Sequence, residues 1–323
     1  TVSHIANKAE LMDGYEFVEL QNEIFGLSGN TNSYIKPSEE DAALGVEAYS
    51  LEDYRDQSMW NDWQDAIYRT SLSQNYNISL SGGSKEAGSR YNASLSVVDQ
   101  NGIIVNSNFQ RYQGKINFQQ KIGKKVTIDL LANYSRAITN GVTPTNAQQS
   151  SSATGWLVYS VWGYRPVKPR SQWEMDANGN FINNDSGELI DEDVASSNDY
   201  RFNPAKTVRN EYRKTIVDYL NANAGITWEI IDDLKLKITG GYTINKRRRE
   251  EFNGTQTYTG YEGSPSGKGI NGGIYWNDKT TWLNENTLTY TKRFNRKHNF
   301  NFLAGFTLQG ETFDYKGTYA TQM

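Results

Sequence analysis

From Gln74 onward, apolar and polar positions alternate with a period of two. Tyr76, Ile78 and Leu80 alternate with Asn77, Ser79 and Ser81, and Tyr91, Ala93, Leu95 and Val97 with Asn92, Ser94 and Ser96. The rhythm continues through Tyr112, Ile116 and Phe118, then Val126, Ile128, Leu130, Ala132 and Tyr134. After a long interval it returns in Leu220 to Trp228, in Leu234 to Ile244, in Trp282 to Phe294 and in Phe300 to Leu308. Asn284 and Asn286 break the third of these runs, falling on the face of Leu288 and Tyr290. The pattern predicts eight strands of about ten residues each, half-buried on one face. The first seventy residues follow another period. Leu11, Tyr15, Val18, Asn22 and Phe25 predict a helix stopped by Gly26. A second helix is expected from Ser38, with Asp41 in capping-box position, and a third over Met59 to Arg69 with Trp60, Trp63 and Ile67 on one face.

Three features separate a membrane barrel from a soluble β-sandwich that binds carbohydrate. The polar face is Asn, Ser, Thr, Gln and Lys, as a wet lumen requires. Tyr76, Tyr91, Tyr112, Tyr134, Trp228, Trp282 and Phe294 stand near strand ends, as an interfacial girdle does. The connections are also one-sided. Turns at Gly123–Lys125, Asp232–Asp233 and Asn295–Lys297 are tight, whereas Ile138–Arg213 and Asn245–Lys279 are long. Outer-membrane barrels have short periplasmic turns and long outer loops. The expected organisation is therefore an extracellular loop with short helices over 1–73, barrel strands over 74–137, a long extracellular loop over 138–213, and strands with loops over 214–323. With tight turns facing the periplasm, an upward strand must precede residue 1. Eight strands alone fill their lumen with side chains, so the sequence reads as part of a larger barrel.

Charge and composition narrow the function. The chain has 33 Lys and Arg against 37 Asp and Glu, a net charge of −4, which disfavours nucleic acid as a partner. The longest apolar run, Gly155 to Tyr164, is half of the ~20 residues of a spanning helix. There is no Cys and only two His, His4 and His298, so a Cys/His zinc site is excluded and no cofactor is expected. No nucleophile and base are paired in sequence, so no enzyme is expected. Asp129 and Glu229 are the carboxylates on which a glycan-cleaving alternative would rest. Asp176 to Asn180 begins like a calcium loop, but Phe181 stands in place of the turn glycine. Lys246 to Arg249 is a basic run suited to lipopolysaccharide phosphates if it lies at an outer rim. For substrate contact the candidates are Trp156, Tyr159, Trp162, Tyr164, Arg165 and Trp173, where flat rings stand beside charged donors. The plain alternative packs Trp156, Tyr159 and Trp162 inward on the barrel mouth. A polar face read as charge-balanced and rich in Asn and Ser fits a neutral glycan.

The succession Trp63-Gln64-Asp65-Ala66-Ile67-Tyr68-Arg69-Thr70, Gln74 to Gly83, Arg90 to Leu95, Asp99 to Ile104 and Asn106 to Asn117 closely resembles the SusC/RagA-like TonB-dependent outer-membrane transporters of Bacteroidetes. The likeness is most specific over residues 60–136; Lys8 to Phe25 and Tyr164 to Pro169 are weaker matches. The resemblance implies an all-β antiparallel transmembrane barrel of about 22 strands, a size class with a plugged lumen, of which this sequence supplies about eight. It further implies a plug, a TonB box, a SusD-like surface lipoprotein as lid, outer-membrane lipid around the wall, and oligosaccharide (or oligopeptide) as cargo. Neither plug nor TonB box is recognisable in this sequence.

Overall fold

In a computed structural model, residues 1–29, 34–35, 49–141, 157–167, 203–260, 268–295 and 297–322 are described. Nine antiparallel strands form one sheet in sequence order: β1 Val2–Ser3, β2 Ser71–Ser84, β3 Ser89–Asn101, β4 Asn108–Ile122, β5 Val126–Asn140, β6 Glu211–Ile231, β7 Leu234–Asn253, β8 Asn271–Phe294 and β9 His298–Thr321. All eight expected strands are present. The ninth, β1, pairs Val2 and Ser3 antiparallel with Leu72 and Ser71, inside the segment expected to be loop. Among the described residues no second sheet covers the apolar face, which leaves Ile78 75% and Leu95 67% exposed. The sandwich reading is thereby excluded.

Register explains both faces. Ile78, Leu95, Gly114, Tyr134, Leu220, Ile244, Thr280 and Thr312 lie opposite one another in a single row across β2 to β9. On β9, however, the apolar run is Phe300 to Leu308, centred on Ala304, eight residues below Thr312. The apolar band thus drifts by about one residue per strand. At ~3.3 Å per residue and ~4.8 Å between strands, the drift corresponds to a tilt of roughly 40°, that of transmembrane barrels. Tyr76, Tyr112, Tyr134, Tyr242 and Trp282 follow its upper edge, and Tyr91, Phe118, Trp228, Tyr290 and Phe300 its lower edge.

The strands outrun the alternation that predicts them. β6 to β9 contain 20 to 24 residues each, so the connections shrink to 141–210 and 254–270. Beyond the apolar band, outward positions become Asp218, Lys246, Asp278 and Asp314, and the hydrophobic signal vanishes while the hydrogen-bond ladder continues. The link between β3 and β4, residues 102–107, is also short, so the loop asymmetry rests on the other two. Asn284 and Asn286 do face outward inside the band, between Trp282 and Tyr290. Asn286 Nδ2 donates to Asn284 Oδ1 at 2.7 Å and Asn284 Nδ2 to the Thr239 carbonyl at 3.5 Å, which satisfies polar groups that lipid cannot.

Helices sit at the long-loop end. α1 spans Gly14–Ser28, begun by a reciprocal Asp13–Glu16 capping box and closed by Gly29 at φ 72°. Gly26 lies inside it, because its backbone is helical and the left-handed residue that ends the helix comes three positions later. 3₁₀ turns at Leu51–Arg55 and Gln57–Met59 precede α2, Trp63–Ile67, which starts late because Asp62 Oδ1 caps the N–H groups of Gln64 and Asp65. α3, Leu157–Gly163, and α4, Pro204–Asn210, follow. The helix expected from Ser38 lies outside the described residues. The buried clusters are also here: Trp63, Ile67, Leu157, Val161, Tyr164, Ala205 and Val208 in one, Val18, Tyr54 and Val167 in the other.

Replacing outward Leu95 by Arg in the complete barrel is expected to cost about 2–4 kcal/mol, the penalty for a cation at the bilayer midplane. Ser94→Arg, one residue away on the polar face, is expected to cost far less in urea unfolding from lipid vesicles. Equal costs would overturn the assignment of faces.

Candidate functional site

The polar face is an amide-lined wall. Gln113 Nε2 donates to Asn133 Oδ1 at 2.9 Å, Asn221 Nδ2 to Thr243 Oγ1 at 2.9 Å and Asn223 Nδ2 to Asn221 Oδ1 at 2.8 Å. Toward the long-loop end the network gains charge. Arg213 pairs with Glu211 and donates to Asn253 Oδ1 at 2.9 Å; Asn253 donates to Asn271 at 2.7 Å, and the Tyr319 hydroxyl donates to Asn271 Oδ1 at 3.1 Å. One layer below, the Tyr275 hydroxyl donates to Glu251 at 3.0 Å, and the Arg249 guanidinium stands 4.6 Å over the Tyr275 ring. That ring lies flat on the wall across Gly317, where an added Cβ would meet Tyr275 Cδ1 at 2.9 Å.

The charge balance expected for this face is not what register produces. Eleven cations (Arg90, Arg111, Lys115, Lys121, Arg213, Lys235, Lys237, Arg247, Arg249, Lys279, Arg293) share it with six carboxylates (Asp129, Glu211, Glu229, Glu251, Glu285, Glu311), an excess of five. The run Lys246 to Arg249 is split by the pleat: Arg247 and Arg249 enter the polar face, while Lys246 and Arg248 point outward. Asp129 and Glu229 are both on the polar face, but Asp129 accepts from Gln119 at 2.7 Å and Glu229 pairs with Lys235 at 2.7 Å.

The six aromatic and basic candidates divide. Trp156 and Trp173 lie outside the described residues, as does the calcium-like stretch; Tyr159 belongs to α3, its side chain outside the description. Tyr164 is buried to 7% exposure, edge-on to Trp63 at 5.1 Å. The Arg165 carbonyl accepts from Trp63 Nε1 at 2.7 Å, and its guanidinium lies 5.7 Å from the Tyr164 ring. Trp162 is 55% exposed, so α3 packs inward through Leu157 and Val161 rather than through its Trp. Trp162 lines an open cleft of about 660 Å³ together with residues 8–14, 60–64 and Pro166. Sequence reasoning missed the Arg213–Asn253–Asn271–Tyr319 network; the one available signal was the block of three Arg followed by two Glu in Arg247 to Glu251.

One wall of the cleft is clamped. Lys8 Nζ lies 2.9 Å from Asp62 and 2.5 Å from Asp65, while Ala9 and Gln64 exchange hydrogen bonds at 3.0 and 2.9 Å. Burial works against charge on Asp62, but Lys8 and the N–H groups of Asp65 and Gln64 outweigh it, and its pKa falls below the usual value. Hydrogen bonds to Asp65 and Asp62 raise the pKa of Lys8.

No family model matches the chain. It is 29% identical over 263 residues to TonB-dependent receptor P3 of Formosa agariphila, covering 81% of this chain and 24% of that protein. It is 25% identical over 200 residues to TonB-dependent receptor SusC of Bacteroides thetaiotaomicron, covering 57% of this chain and 19% of that one. The solved RagAB peptide importer in its closed-closed state superposes with a TM-score of 0.65 at 21% identity, over 99% of this chain and 35% of that chain. The chain spans about a quarter of the length of the curated relatives it matches. The sheet is thus part of an outer-membrane β-barrel wall. The chain is similar in sequence and fold to a barrel segment of TonB-dependent receptors of the SusC and RagA kind.

A depressed acid contributes stability above the usual Asp pKa of ~4 and loses it as pH falls through the folded value; a raised Lys contributes below ~10 and loses it above. The clamp is therefore expected to hold between these limits. Amide-exchange protection of Gln64 to Ile67 should drop below pH ~4, and Lys8→Met should weaken that pH dependence, leaving the part that the capping N–H groups of Gln64 and Asp65 supply.

Proposed function

We propose that the complete protein imports oligosaccharide across the outer membrane, with a SusD-like lipoprotein as lid and the TonB complex supplying force. In this reading the tight turns face the periplasm, and residues 1–73 and 138–213 belong to the extracellular mouth. The carrying observation is the division of one register into an apolar outward band and a continuous amide-lined inner face. Such a face offers a hydrophilic oligomer a ladder of donors and acceptors, replacing the water it sheds. Exposed Trp162 beside its cleft supplies a stacking surface for a sugar ring, and Tyr159, Arg165, Trp156 and Trp173 are the further contacts proposed from the sequence of the same segment. Tyr164 contributes by holding α3 against Trp63. Oligopeptide is the second reading, favoured by the fold shared with the RagAB peptide importer.

The test is uptake of fluorescent oligosaccharides and oligopeptides by cells that carry or lack the complete receptor. Receptor-dependent accumulation of oligosaccharide, reduced severalfold by Trp162→Ala at unchanged surface abundance, is expected. Accumulation of peptide alone would shift the assignment to the second reading.

A further inference from the structure

The long-loop half of the polar face begins at the row of Lys115, Asn221 and Glu311. It holds six Lys and Arg and three carboxylates, and each carboxylate is already engaged. Glu211 is paired with Arg213, Glu251 with Arg249 at 3.7 Å and Glu311 with Lys279 at 2.9 Å. Arg111, Lys115 and Arg247 remain, and among the described residues none of the three has an ion-pair or hydrogen-bond partner.

Their placement is informative. Arg111 and Arg247 share one row, separated by Ala137 and Val217, so short side chains form a low floor between two long cations. At ~4.8 Å per strand step the two stand roughly 14 Å apart, too far for one small anion. Lys115 is two layers deeper than Arg111 on the same strand, below Gln113, and Tyr315 lies beyond Asn277 in the row of Arg247, its ring open. Rings of Arg and Lys in a pore select anions, and a wall of low dielectric strengthens that selection.

Building on the import reading, we propose that the imported oligomer is anionic and carries carboxylates or sulfates along its length, which Arg111, Lys115 and Arg247 receive in turn. Guanidinium groups suit both, since each accepts two parallel N–H donors. Neutral segments between the charges would meet the amides and the Tyr315 ring.

The experiment uses the complete receptor with its lid. An equimolar mixture of neutral, uronic-acid and sulfated oligosaccharides, with acidic, neutral and basic peptides of matched length, is presented, and bound material is identified by mass spectrometry. The bound pool is expected to be at least tenfold enriched in acidic members at low salt, with the enrichment falling as salt screens the wall. R111Q/R247Q should remove that enrichment, K115Q should reduce it, and heat-modifiable migration should stay unchanged. Enrichment of neutral or basic members overturns the proposal, as does a double variant that melts lower yet keeps the acidic preference, which would place the three cations against the plug instead. A receptor that binds no oligomer of any charge sinks the import reading itself.

Discussion

Every backbone N–H and C=O inside hydrocarbon must find a partner within the protein, and here the cross-strand ladder supplies it. From β2 to β9 the register runs with one irregularity, between Glu229 and Ile231 at the tight-turn end of β6. An unbroken ladder fixes which side chains share a face, so Ile78, Leu95 and Leu220 are committed outward together. It also fixes the slope. Because the apolar band must remain level in the bilayer, its descent from Ile78 to Ala304 measures how far the strands lean.

A wall with lipid on one side and water on the other has no interior of its own. The sheet therefore contributes almost nothing to the buried apolar set; among its described residues Val98 is the exception. Burial is concentrated where the long loops fold back on themselves, through Ile67, Val161 and Val208 in one cluster and Val18 and Tyr54 in the other. These clusters position Trp162 by anchoring the helix that carries it. Asn284 and Asn286 show the same constraint from the opposite side: polar side chains persist in the apolar band because they bond to each other and to the Thr239 carbonyl.

Alternation was legible wherever the two faces met different solvents, which is why all eight long strands could be read from Tyr76, Ile128 or Phe302 and their neighbours. It failed above the bilayer, where both faces are wet: Lys246 to Asn253 looks like loop and is strand. The end of α1 was misplaced because Gly26 and Gly29 are indistinguishable as letters, and only backbone conformation tells them apart. The sign of the polar face was likewise hidden. Composition along the chain mixes inward and outward residues, and only register sorts Arg247 from Arg248. The cleft lined by Trp162 joins segments about a hundred and fifty residues apart, a proximity no local pattern encodes.

Sorted by place, charge in this protein is layered. The inner wall has its excess of five cations, yet the chain as a whole is at −4, and residues 1–70 alone carry fourteen carboxylates against four Lys and Arg. With a screening length of about 8 Å at physiological salt, each layer acts only at close range. If residues 1–70 form part of the mouth as proposed, their acidity does not draw an anion from bulk water, so capture there would rest on stacking, hydrogen bonds and enclosure rather than on steering. On the proposed import of an anionic oligomer, the basic wall would take effect after the ligand has entered, where it offsets the desolvation cost of the ligand's own charge. Oppositely signed layers thus divide recognition from passage. In the proposed import, the first would screen ligands by shape and contact, and the second would hold the ones it admits along the path to the periplasm.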